Sequence, residues 1–263
     1  MPDRSYSSDQ PPRSIAGAAV LITGAGSGMG AAAARLFAAE GAWVAVTDVH
    51  ADAAGAVAED VTGSGGRARA WQLDVGDGAA IARVVGEVAD EFGGLDCLIN
   101  NAGFAPRIAL DDDGYEDVWQ GAIDAMLTSV PRTVRAALPW LRRSPFPRIV
   151  NVASTEAFAT TPLLTPYAAA KSGVTGITRG LAVELGPEGI TCNAILPGPI
   201  ETGLTATIPD EHKQIFARRR TALRRYGRPE EVAHIMLALC LPAASYITGA
   251  SVPVDGGLLV RNG

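Results

Sequence analysis

The stretch "AAVLITGAGSGMGAAAARLFAAEG", Ala18 to Gly41, changes character twice. Its first part, Ala18–Thr23, is an apolar run that reads as a buried strand. "TGAGSGMG", Thr23–Gly30, reads as a turn, and the alanine-rich remainder reads as a helix. A glycine-rich turn that feeds a helix N-terminus gathers backbone N–H groups at the positive end of the helix dipole, which suits a pyrophosphate. Gly24 permits the tight turn, Gly28 lets a ligand approach closely, and Gly30 lets the helix pack on the strand. An ordinary tight turn could use the same glycines. The place between strand and helix favours the phosphate reading.

Outward from this stretch the pattern repeats. Strand-like runs follow at "AWVAVT" (Ala42–Thr47), "RARAWQL" (Arg67–Leu73), "LDCLIN" (Leu95–Asn100), "RIVNVAS" (Arg148–Ser154), "ITCNAIL" (Ile190–Leu196) and "ASVPV" (Ala250–Val254). Four of the seven runs, beginning at Ala18, Ala42, Leu95 and Ile190, are nearly continuous in apolar residues, as parallel strands buried on both faces require. Helical patterns separate most of them. The alternation predicts an α/β fold, a doubly wound Rossmann-type parallel sheet of seven strands with helices on both faces. A polar, proline-rich tail is expected over 1–14 and a single domain over 15–263. The net charge of −6 argues against nucleic acid or an anionic membrane surface as partner. No apolar run has the roughly 18 residues of a membrane span. Cys97, Cys192 and Cys240 each lie in an apolar run, which predicts buried, reduced thiols and a cytoplasmic location. No metal site is expected.

The second run leads into Asp48. A carboxylate at that strand end can accept hydrogen bonds from adenosine ribose hydroxyls and would repel a 2′-phosphate. No Arg or Lys stands at 47–50 to offset it, so NAD is expected rather than NADP. An acidic strand-end residue facing water is the plainer alternative. Tyr167 and Lys171, in "YAAAK", stand four apart in a helix-like segment and so share a face. An ammonium beside a phenol would lower the phenol's pKa from near 10 and suit it to acid/base work. The same spacing occurs on surface helices. Of the chain's 22 fixed cations only Lys171 and Lys213 are lysine. A slim ammonium with three donors could grip ribose hydroxyls where a guanidinium would not fit. Ser154 ends a strand, where its hydroxyl could bond a reacting oxygen or merely cap the strand exit.

With these residues together the chain resembles the short-chain dehydrogenases/reductases. The resemblance runs from Ala18 to Gly257 through "TGAGSGMG", "LDV" (Leu73–Val75), "NNAG" (Asn100–Gly103), Ser154, "YAAAK", "PGPIET" (Pro197–Thr202), "GRPEEVA" and "DGG" (Asp255–Gly257). It implies hydride transfer between a nicotinamide and a secondary alcohol or ketone. Tyr167 would be the acid/base, Lys171 its partner and ribose anchor, and Ser154 the group that positions the oxygen. The cofactor residues would be Gly24, Ser27, Gly28, Met29, Gly30, Asp48, Asp74, Val75, Asn101, Gly103, Tyr167, Lys171, Ile200 and Thr202. Asp74 and Val75 would touch the adenine and Asn101 the adenosine side. Thr202 and the backbone near Ile200 would hold the carboxamide. A homo-oligomer, tetramer or dimer, is implied as well.

One family residue is missing. In the segment Tyr115–Leu141, similar to the family's long central helix, Met126 stands where the pattern has an asparagine that helps hold a relay water. Pro131 inside that helix would free the Leu127 carbonyl at a cost of about 3 kcal/mol. The change is either drift in a still-active enzyme or, more specifically, the freed carbonyl holds the water instead; alternatively the chain is a catalytically impaired NAD(H)-binding sensor or scaffold. Phe104, Pro106, Phe158, Leu163, Leu204 and Ile208, with Glu156, are expected to flank the nicotinamide. That pocket suits a hydrophobic or cyclic alcohol. The arginines at 218, 219, 220, 224, 225 and 228 would either greet an acidic substrate or form a solvated helical flap, the second being the commoner use of a charge run.

Overall fold

Seven strands form one sheet in the computed structural model, which describes residues 13–261. They are β1 (Ala19–Thr23), β2 (Trp43–Asp48), β3 (Arg67–Gln72), β4 (Cys97–Asn100), β5 (Arg148–Val152), β6 (Thr191–Pro197) and β7 (Ser251–Val254). Their order is β3-β2-β1-β4-β5-β6-β7, and every pairing is parallel. Each lies within a residue or two of its predicted run, the usual scatter of element ends. Of the expected tail, residues 1–12 lie outside the described residues.

The helices are α1 (Gly28–Ala39), α2 (Ala51–Gly63), α3 (Gly78–Phe92), α4 (Tyr115–Ile123), α5 (Ser129–Leu141), α6 (Thr165–Leu185), α7 (Asp210–Arg220) and α8 (Pro229–Cys240). The continuous apolar runs now have their reason. Val20, Ile22, Val44, Val46, Cys97, Ile99 and Val150 pack with α1, α2 and α8 on one face. Leu21, Ala45, Leu98, Ile149 and Cys192 pack with α3, α5 and α6 on the other. The edge strand β3 is only half-buried. Arg67 lies 5.0 Å over the Trp43 ring, Arg69 lies 5.5 Å over the Trp71 ring, and Arg69 pairs with Glu91 at 2.6 Å. Charge on an edge strand blocks pairing with another chain.

The central helix departs from expectation. Between α4 and α5 the chain makes a π turn over Asp124–Thr128, with the Ser129 N–H reaching the Asp124 carbonyl five residues back. The Ser129 hydroxyl takes the Ala125 carbonyl at 2.7 Å. Pro131 lies just beyond the π turn, in a helix that runs on from α4 without a break. The irregularity is a π turn that begins before the proline. A second proline, Pro139, lies further along α5.

A buried polar chain docks the helices of the second layer. Thr133 Oγ1 donates to Asn100 Oδ1 at 2.7 Å, Asn100 Nδ2 to Asn151 Oδ1 at 2.9 Å, and Asn151 Nδ2 to Thr178 Oγ1 at 2.9 Å. Thr178 Oγ1 completes it on the Val174 carbonyl at 2.8 Å. The chain ties α5 and α6 to β4 and β5 near their carboxyl ends. Removing the middle member leaves the Asn100 amide unpaired in the interior. Asn151→Ala is expected to cost on the order of 2–4 kcal/mol in urea unfolding. A loss below about 0.5 kcal/mol would mean that the chain is not what docks these helices.

Candidate active site

β1 has β2 on one side and β4 on the other, so the chain leaves its carboxyl end toward one flank and the sheet continues on the opposite one. That reversal opens a crevice in which ligands of open α/β sheets bind. Here the crevice is stitched from both sides. Thr23 Oγ1 accepts the N–H groups of Asn101 (3.0 Å) and Ala102 (3.1 Å). Asn101 Nδ2 donates to the Thr23 and Gly24 carbonyls, both at 2.9 Å. Gly24 has φ +63°, and a Cβ there would stand 2.7 Å from Ala102 Cα. A Cβ on Gly30 would collide with the Gly24 carbonyl.

A cleft of about 460 Å³ lies on this stitch. Of the residues expected to bind a cofactor, Gly24, Ser27, Gly28, Met29, Asp48, Asp74, Val75, Asn101, Gly103 and Thr202 line it. The residues fit a dinucleotide. Ser27 is the N-cap of α1, yet its hydroxyl makes no capping bond, so the N–H groups of the first turn are open to a phosphate. At the other end Asp48 accepts the N–H groups of Gly26 and His50, each at 3.0 Å, which fixes both carboxylate oxygens over the loop. Asn101 Oδ1 is buried without a partner. Gly30 sits beneath the loop. Ile200 lies away from the cleft, buried against Gly227, with its carbonyl held by Thr205 Oγ1 at 2.9 Å. Val49, His50, Leu73, Ala102 and Gly203 also line the cleft and adjoin motif residues in sequence. Ala125 lines it from the π turn, and no sequence signal pointed to it.

Ser154, Tyr167 and Lys171 meet beside the cleft. Ser154 follows β5 in extended conformation, and its Oγ accepts the Glu156 N–H at 3.1 Å. Ser154 is near enough to the Tyr167 phenol to pull its pKa down. Lys171 is buried, its Nζ donating to the Val152 carbonyl at 2.8 Å and standing 5.7 Å from the Tyr167 ring centre. The expected electrostatics need correction. Burial pushes the Tyr167 phenol up, the Ser154 hydrogen bond pulls it down, and the Glu156 charge pushes it up. The balance is a raised phenol, and burial acts on Lys171 too, bringing its pKa from 10.5 to about 8. Met126 is buried close by. A Cβ on Gly103 would stand 3.4 Å from both Met126 Sδ and Lys171 Nζ.

Of the expected flanking residues, Phe104 and Leu204 line the cleft. Phe104, Phe158, Leu163, Leu204 and Ile208 are all solvent-exposed, and Pro106 is half-buried. Leu163 takes φ +69°, a costly conformation for a branched side chain. The arginine-rich segment divides. Arg225 grips Glu231 at 2.7 and 2.6 Å, while Arg218, Arg219 and Arg220 close α7 at the surface.

Comparison with known proteins identifies the family. The family model described as enoyl-(acyl carrier protein) reductase matches residues 24–259. The chain is 37% identical to the 3-oxoacyl-(acyl-carrier-protein) reductase FabG of Thermotoga maritima, over 94% of this chain and 99% of that protein. It is 38% identical to the meso-2,3-butanediol dehydrogenase of Serratia marcescens, over 93% and 95%. The crystal structure of a putative short-chain alcohol dehydrogenase from Sinorhizobium meliloti 1021 superposes with a TM-score of 0.90 at 35% identity, over 96% of this chain and 100% of that one.

The buried lysine makes stability depend on pH. Its folded pKa is depressed, so the unfolded chain binds the extra proton between about 8 and 10.5, and stability is lost as pH falls through that window. Lys171→Met is expected to stabilise the ligand-free fold on the order of 1–3 kcal/mol at pH 7, with the gain fading as pH approaches 10.5. Urea unfolding at several pH values reads this directly, and a pH-independent difference would contradict the depressed lysine.

Proposed function

Because the chain belongs to the short-chain dehydrogenase/reductase family of oxidoreductases, we propose that it interconverts a secondary alcohol and a ketone with NAD as the preferred cofactor. The observation that carries this reading is the convergence of Ser154, Tyr167 and Lys171 at the mouth of the dinucleotide-shaped cleft. A nicotinamide bound there would supply or accept the hydride. The relatives named as a 3-oxoacyl reductase and a butanediol dehydrogenase support a carbonyl or alcohol substrate. The exposed apolar rim supports a small hydrophobic or cyclic one.

The roles follow from the geometry. With its lone pair engaged by the Glu156 N–H, the Ser154 hydroxyl keeps its proton to donate, and it positions the substrate oxygen. The raised Tyr167 phenol is protonated at neutral pH, so it donates to the oxygen of a ketone. In the reverse direction it must lose its proton first, so alcohol oxidation rises with pH. Lys171 stays anchored on the Val152 carbonyl and offers its remaining donors toward the ribose. Asp48, held by two backbone N–H groups, accepts from ribose hydroxyls and repels a 2′-phosphate. Three buried, unpaired cysteines support a cytoplasmic setting, and exposed Val183, Tyr246 and Val260 support a homo-oligomer, tetramer or dimer. Met126 is the one feature that favours a nucleotide-binding sensor or scaffold instead, and turnover of the unmodified protein on a broad panel of alcohols and ketones separates the two.

Tyr167→Phe keeps the ring and removes the proton. Turnover on a panel of alcohols and ketones is expected to fall on the order of 10²–10⁴-fold, with NADH affinity nearly unchanged. A phenylalanine variant of near wild-type rate would sink the catalytic assignment.

The wild-type protein should use NAD far better than NADP. Asp48→Ala combined with Val49→Arg is expected to narrow the gap by removing the repulsion and adding a cation. Equal kcat/KM for the two cofactors in the unmodified protein would overturn the preference.

A further inference from the structure

The turn that carries Asp74 and Val75 is held from outside by a residue with no part in the chemistry proposed above. Residues 74–76 lead from β3 toward α3, whose N-cap is Asp77. Asp74 and Val75 line the cleft. The turn closes on itself, with the Gly76 N–H donating to Asp74 Oδ1 at 2.8 Å and the Asp77 N–H to the Asp74 carbonyl at 3.2 Å. From α5 comes Arg132, whose Nη1 donates to the Gly76 carbonyl at 3.0 Å. The Gly76–Asp77 peptide is thereby pinned at both ends, its carbonyl by Arg132 and its N–H by Asp74. Among the described residues this is the one hydrogen bond that reaches residues 74–76 from another element.

The placement of Arg132 has no other evident cause. Its Cδ, Nε and Cζ pass 3.6, 3.7 and 3.9 Å from where a Cβ on Gly78 would stand, so the side chain lies along the start of α3. A helix N-terminus is the unfavourable end of the dipole for a cation. Arg132 is exposed, and among the described residues no carboxylate forms an ion pair with it. One exposed hydrogen bond adds little to the stability of a whole domain. Its effect is local, and the turn it holds is a wall of the cleft. With Asp74 Oδ1 taken by the Gly76 N–H, Oδ2 keeps its lone pairs for a ligand donor, and the turn decides where they lie.

We propose that Arg132 is a positioning residue for the cofactor: bonded to the Gly76 carbonyl, it pre-sets the turn at residues 74–76 for the adenosine half of a dinucleotide, so that affinity for that half depends on a side chain of α5 outside the cleft. The proposal rests on the reading that the cleft binds NAD with its adenine at Asp74 and Val75. Without the bond, the ligand itself must order the turn, and that cost weakens the adenosine half alone.

Arg132→Met tests it, because the stem stays and the donors go. Three probes are read by nicotinamide fluorescence, which needs no turnover. They are NADH, reduced nicotinamide mononucleotide, which lacks the adenosine half, and AMP, which is that half and is read by its displacement of NADH. In Arg132→Met the Kd values of NADH and of AMP are each expected to rise about fivefold. The mononucleotide should change less than about twofold, and Tm should move by less than about 2 °C. Arg132→Lys, whose ammonium can still reach the Gly76 carbonyl, should recover most of the loss. Should Arg132→Met fold poorly, Arg132→Gln, shorter and uncharged, must show the same split between the two halves. AMP bound as tightly as by wild type, an equal weakening of all three probes, or an Arg132→Lys variant as weak as Arg132→Met would overturn the proposal. Failure of the underlying cofactor reading shows separately, as a wild-type protein that binds neither NADH nor AMP, and it would take this proposal with it.

Discussion

The stitch between Thr23–Gly24 and Asn101–Ala102 is the constraint on which the site depends. Two loops leave the carboxyl ends of adjacent strands β1 and β4 and must run side by side without closing the crevice between them. Four hydrogen bonds hold them, and all four use either the Thr23 hydroxyl or the Asn101 amide. Every element of the cleft refers to this seam. The N-terminus of α1 starts from it, the Asp48 carboxylate reaches back over it through Gly26, and Gly103 continues it toward Lys171. A side chain on Gly24 or Gly30 would force the loops apart. The glycine pattern is thus first a packing requirement, and the phosphate-sized opening is what the packing leaves.

The fold was legible because its strands are read twice. Alternate residues of β1, β2 and β4 enter two different apolar layers, so nothing polar interrupts the runs, and the sequence displays burial on both faces. The strand-end positions of Asp48 and Ser154 were legible for the same reason. The π turn was not. It depends on a shift in which carbonyl each N–H selects, and the residues Asp124–Thr128 carry no composition that distinguishes five-residue from four-residue bonding. The proline nearby drew attention to the right helix.

The electrostatics of Tyr167 and Lys171 were also hidden, for a different reason. Spacing four residues apart says that two side chains share a helix face, but it does not say how much water reaches them. Coulomb attraction between an ammonium and a phenolate competes with the cost of taking each charge out of water. In the ligand-free fold desolvation wins for both, raising the phenol and lowering the amine. Sequence supplies the partners of an interaction. Its sign at a buried site depends on packing density, which only the structure supplies.

Arg148 shows why position 171 is a lysine in a chain that otherwise uses arginine. Arg148 is as buried as Lys171, but its fork is fed on all three nitrogens by the carbonyls of Pro147, Leu241 and Pro242, at 2.9, 3.3 and 3.2 Å. A guanidinium can be buried when backbone surrounds it in its plane. Lys171 has one carbonyl, that of Val152, and a glycine where a bulkier neighbour would press on Nζ. An arginine there would leave donors unpaired and would hold its charge at any pH, since its pKa exceeds about 12. The ammonium needs fewer partners, leaves its spare donors pointing at the cleft, and yields its proton near pH 8. The single lysine of this face is kept because it can be buried while only partly satisfied, and that incomplete satisfaction is what remains available to a ligand.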